Sequence, residues 1–152
     1  MRATVYPGCP KGQISIPPSK SMAHRAIICA SLAEGKSEIK NIAYSDDIMT
    51  TIEAMRLWGA QITCFPDHLW ITGTAGRFPQ EEFVVDCHES GSTLRFLIPI
   101  FSLSGHPVHF QGRNRLLQRP QSVYEKIFQD QHLFYAQNEQ EIVLQGPLAS
   151  CG

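Results

Sequence analysis

The chain has 152 residues and a formal net charge of −1, from 13 basic and 14 acidic side chains, with 43% hydrophobic residues and 11 glycines. This is the length of one domain at most and the composition of an ordinary soluble globular chain, which excludes disordered, collagen-like and membrane-spanning classes. The near-zero charge argues against a general nucleic-acid binder; no apolar run marks a secretory signal or a membrane span, so the chain is expected in the cytoplasm, away from membranes and nucleic acid.

In chain order, Ile14-Ser15-Ile16 runs through Pro17 and Pro18 into SKSMAHRAIICASLAEG. That segment is apolar on nearly all sides and is closed by Gly35, so it predicts a buried helix. SEIKNI predicts a short strand. Ser45-Asp46-Asp47 supplies an N-cap and first turn for a helix with Ile48, Ile52 and Met55 at i, i+4, i+7 and Gly59 as its stop. QITCF and HLWIT, divided by Pro66-Asp67, predict a hairpin. The order then returns: the strand FVVDC, the turn HESGS, the helix STLRFLIPIFSLSG, the strand PVHFQ, a helix beginning at Pro120, and the strands HLFYA and EIVLQ. Pro99 is expected to kink its helix. Arg25 and Arg95 stand 70 positions apart, Ser31-Leu32 and Ser102-Leu103 71, and Gly73 and Gly146 73. The chain therefore predicts an α/β fold made of a repeated helix-strand-helix-strand-strand unit, over about residues 20–80 and 83–147.

Charge is distributed unevenly along this pattern. Arg2, Lys11, Lys20 and Arg25 lie in an acid-free stretch up to Ala33, and Arg95, Arg113, Arg115 and Arg119 in another from Ser90 to Tyr124. Unopposed cations suit a small anionic ligand, and chance clustering on a solvated face accounts for the counts equally well. The helix starts weigh further. Ser19-Lys20-Ser21 opens one helix, with Arg25 at i+4 from Ser21; Ser90-Gly91-Ser92 opens another, with Arg95 at i+4 from Gly91. Free N–H groups and the positive dipole end favour phosphate or carboxylate at such starts. Arg119, ahead of Pro120, falls near the N-cap of the fourth helix. Taken singly, Ser19 and Ser90 read as ordinary caps. Jointly, Lys20 and Arg25 on an apolar helix need anionic partners that a ligand would supply. Neither a Walker A motif nor a dinucleotide fingerprint explains the glycines.

Other residues carry less. Cys9, Cys29, Cys64, Cys87 and Cys151 form an odd set without a C-x-x-C pair and read as reduced, small, buried apolar residues. His106 and His109 read as surface histidines, His88-Glu89 as loop residues, Asp46-Asp47 as helix-dipole partners, and Trp58, Trp70, Phe96 and Phe101 as core.

The string PPSKSMAHRAIICASLAEG resembles the first signature of the 5-enolpyruvylshikimate-3-phosphate (EPSP) synthase family, ESGSTLRFLIPI its second, and Gly112 with the later LLQRP its downstream arginine-proline element. The resemblance runs in order through nearly the whole chain and covers a little over a third of a family member. It implies part of one lobe of the enolpyruvyl transferase fold, an inverse α/β barrel, and transfer of enolpyruvyl from phosphoenolpyruvate to the 5-hydroxyl of shikimate 3-phosphate, with no metal or organic cofactor. By resemblance, Lys20 contacts both substrates and assists proton transfer, Ser21 and Arg25 bind shikimate 3-phosphate, Gly91, Ser92 and Arg119 belong to the phosphoenolpyruvate pocket, and Arg95 supports it.

Residues 1–19 would carry strands, near Ala3 to Tyr6 and Gln13 to Ile16, that pair within the other lobe. Without it, fraying, self-association or improvised packing is expected, with the rest of such an enzyme as the other partner. Glu89 and Ser92 replace the family's common Asn and Thr, and a carboxylate beside an anion is unfavourable unless paired or turned away. The sugar-nucleotide enolpyruvyl transferase of cell-wall synthesis is a more distant match, because Ser21 stands where it typically has Asn. A non-catalytic anion-binding module, or a folded fragment with an empty site, are the rival readings.

Overall fold

A computed structural model describes residues 3, 4, 6–9 and 11–150; Arg2, Val5 and Cys151 lie outside the described residues. From Lys20 onward the elements follow the expected order. The first unit holds α1 (Lys20–Leu32), β1 (Lys36–Lys40), α2 (Asp46–Leu57), β2 (Gln61–Cys64) and β3 (His68–Thr72). The second holds β4 (Phe83–Asp86), α3 (Gly91–Phe101) with a 3-10 turn at Ser102–Ser104, β5 (Pro107–Gln111), α4 (Ser122–Asp130), β6 (Phe134–Gln137) and β7 (Glu141–Gln145).

The repetition extends to strand pairing. The first sheet has the order β1-β3-β2 and the second β4-β5-β7-β6, so β5-β7-β6 repeats the first sheet, antiparallel throughout. Gly73 and Gly146 follow the central strand of each sheet. A Cβ at Gly73 would land on the carbonyl oxygens of Ala30 and Ala33 at the end of α1, and one at Gly146 on that of Ser102 at the end of α3. Both units thus press a bare backbone against a helix end, where any side chain would collide.

The units differ at one edge. β4 lies parallel to β5, pairing Phe83 with Val108 and Val85 with Phe110, and buries Phe83 and Val85 while Val84 faces out. Among the described residues no strand occupies the matching edge of β1. Of the segment expected to pair within another lobe, Gln13–Ile16 is irregular, with Ile14 and Ile16 84% and 79% exposed, and the stretch near Ala3 to Tyr6 includes Val5, outside the described residues. Extended backbone forms a strand only against an edge that takes its N–H and C=O groups, and none is brought to this segment.

Several local expectations are also corrected. α1 is not buried all round: His24, Ile27, Ile28 and Ser31 face inward, while Lys20, Ser21, Arg25 and Cys29 face out. α4 begins two residues after Pro120, with Gln121 as its N-cap, so Pro120 precedes the helix. Trp70 is 43% exposed, because strand alternation buries Leu69 and Ile71 and turns Trp70 to the outer face. Cys9 and Cys29 are exposed and Cys64 is half-buried; among the described residues only Cys87 matches the expected burial, which pushes its thiol up to about 12.

The core is continuous across both units. Trp58, ending α2, stacks on Phe83 at 6.2 Å and meets Phe101 edge-on at 4.8 Å, while Phe101 meets Phe83 and Phe110 edge-on. These aromatic contacts bond the first unit to the second in one apolar block. α2 sits between the units, packed on α1 and against α3 and β4. No helix among the described residues is long and apolar enough to cross a membrane.

Candidate functional site

Each helix start is capped by its serine. Ser19 Oγ accepts the Met22 N–H at 3.4 Å, and Ser90 Oγ accepts the Thr93 N–H at 3.2 Å. Capping does not exclude a site, because α2 holds α1 and α3 so that their first turns open onto one cleft of about 520 Å³. Ser21 and Arg25 line it from α1; Gly91, Ser92, Arg95 and Phe96 line it from α3; Arg119 closes it from the segment before α4.

The three arginines are held by different means. Arg25 Nη1 donates to the Ser21 carbonyl at 2.9 Å, and its guanidinium lies 4.9 Å from the centre of the Phe96 ring, a cation–π contact that ties an α1 side chain to α3. Arg95 Nε donates to Gln121 Oε1 at 3.4 Å. The Arg119 guanidinium reaches over Gly91, where a Cβ would lie 3.1 Å from Nη1, so the glycine makes its room. Gln137 Nε2 donates to the carbonyls of Leu117 and Arg119 and fixes that segment. Among the described residues none of the three guanidinium groups has a carboxylate partner.

Two carboxylates also line the cleft, and both are engaged. Asp47 Oδ2 lies 3.5 Å from Lys20 Nζ, and Glu89 Oε1 accepts a hydrogen bond from Asn114 Nδ2. The charge at Glu89 is thus drawn to a side-chain amide, which meets the condition for tolerating it beside an anion. Lys20 itself does not line the cleft; it is exposed and borders it through Asp47. Of the second acid-free stretch, Arg113 turns away to Asp86, at 3.0 Å. Burial would raise the Asp86 carboxyl, but the His88 amide and the Arg113 guanidinium outweigh it and hold it below the ordinary range. His24 lies buried behind the cleft. Burial lowers its pKa; Asp47 opposes that, and Lys20 and Arg25 add to it, so the net effect disfavours the protonated imidazole.

The sequence pattern named Ser21, Arg25, Gly91, Ser92, Arg95 and Arg119, and the fold brings all six to one cleft. It missed Phe96, assigned to the core, and Asp47, assigned to the helix dipole. Nothing in either residue's spacing marks its contact with a side chain on another helix. His24 had a readable signal, being a polar residue on the face shared by Ile27, Ile28 and Ser31. Among the described residues no group of three or more His, Cys, Asp or Glu side chains could hold a metal ion. His109 is no free surface group: it is half-buried between Glu82, at 3.1 Å, and Glu141, at 2.9 Å.

Comparison with known proteins gives concordant matches. The sequence profile of the family described as EPSP synthase (3-phosphoshikimate 1-carboxyvinyltransferase) matches residues 7–129. The chain is 49% identical over 138 residues to the 3-phosphoshikimate 1-carboxyvinyltransferase of Clostridium beijerinckii, covering 87% of this chain and 32% of that protein. It is 46% identical over 143 residues to that of Clostridium perfringens, covering 94% and 34%. The chain therefore spans about a third of the length of the curated relatives it matches. The solved structure of EPSP synthase from Acinetobacter baumannii superposes with a TM-score of 0.76 at 22% identity, over 89% of this chain and 32% of that one, a likeness of fold.

Proposed function

Since this chain belongs to the EPSP synthase family, we propose that its cleft is the phosphate- and carboxylate-binding part of an enzyme that moves enolpyruvyl from phosphoenolpyruvate to the 5-hydroxyl of shikimate 3-phosphate. The observation that carries this is the convergence of Arg25, Arg95 and Arg119, all without carboxylate partners among the described residues, at two helix starts from different repeat units. Three guanidinium groups and two sets of free amides suit two ligands that each bear phosphate and carboxylate.

In this reading Ser21 and Arg25 hold shikimate 3-phosphate, while Gly91, Ser92 and Arg119 hold phosphoenolpyruvate and Arg95 supports them. Lys20, which borders the cleft through Asp47, reaches in to contact both substrates and assists proton transfer. The methylene carbon of phosphoenolpyruvate takes a proton, the hydroxyl oxygen adds to the neighbouring carbon and loses its own, and the resulting tetrahedral intermediate expels phosphate as its methyl carbon gives up a proton, which restores the double bond. Fixed cations stabilise the charge that shifts between carboxylate and phosphate groups. The chain supplies one wall of such a site, so alone it binds weakly and turns over little. The reaction is placed in the cytoplasm, where the free thiols of Cys9, Cys29, Cys64 and Cys87 stay reduced.

Calorimetric titration with shikimate 3-phosphate tests the site. The parent chain is expected to bind, and Arg25→Ala to weaken binding at least about tenfold by removing a charge-assisted contact. Indistinguishable titrations of the two proteins would reject the site. Steady phosphate release by this chain alone, given both substrates, would instead show that one wall suffices.

A further inference from the structure

The cleft is divided between repeat units, yet its two halves must hold a fixed spacing for one ligand to bridge them. Behind it runs a chain of buried polar side chains that crosses all three helices. His24 Nδ1 on α1 lies 2.7 Å from Thr51 Oγ1 on α2; Thr51 Oγ1 lies 2.7 Å from Thr93 Oγ1 on α3; Thr93 Oγ1 donates to Ser90 Oγ at 2.7 Å. All four residues are 2% exposed or less. Ser90 is also the cap that accepts the Thr93 N–H, so the chain ends on the turn that presents Gly91 and Ser92 to the cleft.

Proton counting gives the chain a direction. Each hydroxyl has one proton to give. With Thr93 donating to Ser90, Thr51 must donate to Thr93, and His24 Nδ1 must donate to Thr51. The carbonyl of Asp47, at 3.3 Å from Thr51 Oγ1 and 3.4 Å from Thr93 Oγ1, is the longer alternative for both protons. Buried hydroxyls without partners are costly, so losing the donor at the head strands the links behind it.

We propose that His24 is a positioning residue: by donating from Nδ1 into the Thr51–Thr93–Ser90 chain, it sets the α3 helix start against the α1 helix start and so fixes the spacing of the two anion-holding halves. The importance of that spacing rests on the function proposed above; the coupling of His24 to the α3 start does not. Asp47 from α2, and Lys20 and Arg25 from α1, are the charged groups acting on His24. They reach the cleft or its border themselves.

The test uses the whole chain and three proteins: the parent, His24→Asn, whose amide can donate from near the Nδ1 position, and His24→Leu, which cannot. Amide hydrogen exchange is followed by NMR without ligand, and shikimate 3-phosphate is then titrated. His24→Leu is expected to speed exchange at Gly91, Ser92 and Thr93 at least tenfold more than in β5 and β7, and to weaken binding about tenfold. His24→Asn is expected to restore both. Exchange at 91–93 equal to the parent's, a rise spread uniformly over the core, or an Asn variant that behaves like the Leu variant would each overturn the proposal. If the parent itself fails to bind shikimate 3-phosphate, the proposed function falls, and the exchange data alone still decide the positioning role.

Discussion

The two helix starts look alike and are not equivalent. Their capping serines, Ser19 and Ser90, stand 71 positions apart, but their buried faces coincide at 70: His24, Ile27, Ile28 and Ser31 match Leu94, Leu97, Ile98 and Phe101, all buried, and the outward Arg25 matches Arg95. The one-residue difference lengthens the first turn of α1 and shifts its cap relative to its cation. At the single buried position where one unit carries a titratable side chain, His24, the other carries Leu94. Duplication therefore preserved the apolar face and the outward cation, and let polar chemistry diverge in the layer between the units.

Substitutions at the two clamp glycines would break this comparison most directly. Gly73→Ala and Gly146→Ala each force a Cβ onto backbone carbonyl oxygens at a helix end. Each is expected to cost roughly 3 kcal/mol or more, whereas Gly91→Ala, which meets the flexible tip of Arg119 and touches Leu116 at an ordinary 3.8 Å, should stay within about 1 kcal/mol of the parent. Denaturant midpoints measure all three. A large loss at only one clamp glycine would show that the units are not folded alike.

The second helices provide a sharper contrast. Ile52 in α2 is fully buried, while Ile127 in α4 is 37% exposed, beside the 69% exposed Val123. Ile52→Ala should therefore cost about 3 kcal/mol by leaving a cavity, and Ile127→Ala less than about 1 kcal/mol. Equal losses would mean that α4 is covered in solution.

The smallest effect is one of pH and belongs to the first unit alone. The folded chain holds His24 below its ordinary value. As the pH falls below about 6.5, the unfolded chain takes up a proton that the folded chain resists, so stability falls with pH until the lowered folded value is passed. His24→Asn removes that contribution. Unfolding measured at about pH 5 and about pH 7.5 should show a smaller difference for the variant than for the parent, and identical slopes would contradict a neutral, buried His24.

Much of the fold is legible along the chain because its signals are local. Strand alternation, the stop at Gly59 and the caps at Ser19 and Ser90 each act within a few residues and hold, whereas Ser45 takes the N-cap position of α2 without a side-chain cap hydrogen bond. Misreadings arose where a residue's surroundings come from elsewhere. Trp70 reads as core along the chain, although its strand turns it outward; Pro120 reads as a first helical position, which falls instead on Ser122, two residues on. Gln13–Ile16 has the pattern of a strand and lacks an edge to pair with. In the cleft, serines, glycine and arginines announced themselves through their place at helix starts. Phe96 and Asp47 did not, because each acquires its role from a side chain on another helix.

The order of residues determined the duplicated unit, its helix faces and the gathering of cations at two helix openings, since these follow from periodicity and capping over short spans. Only tertiary packing decided that α2 would stand between the units, that three arginines would share one cleft, and that a histidine would head a hydroxyl chain across three helices. Those depend on distances between segments tens of residues apart, which are fixed by how apolar faces bury one another and leave no trace in local spacing.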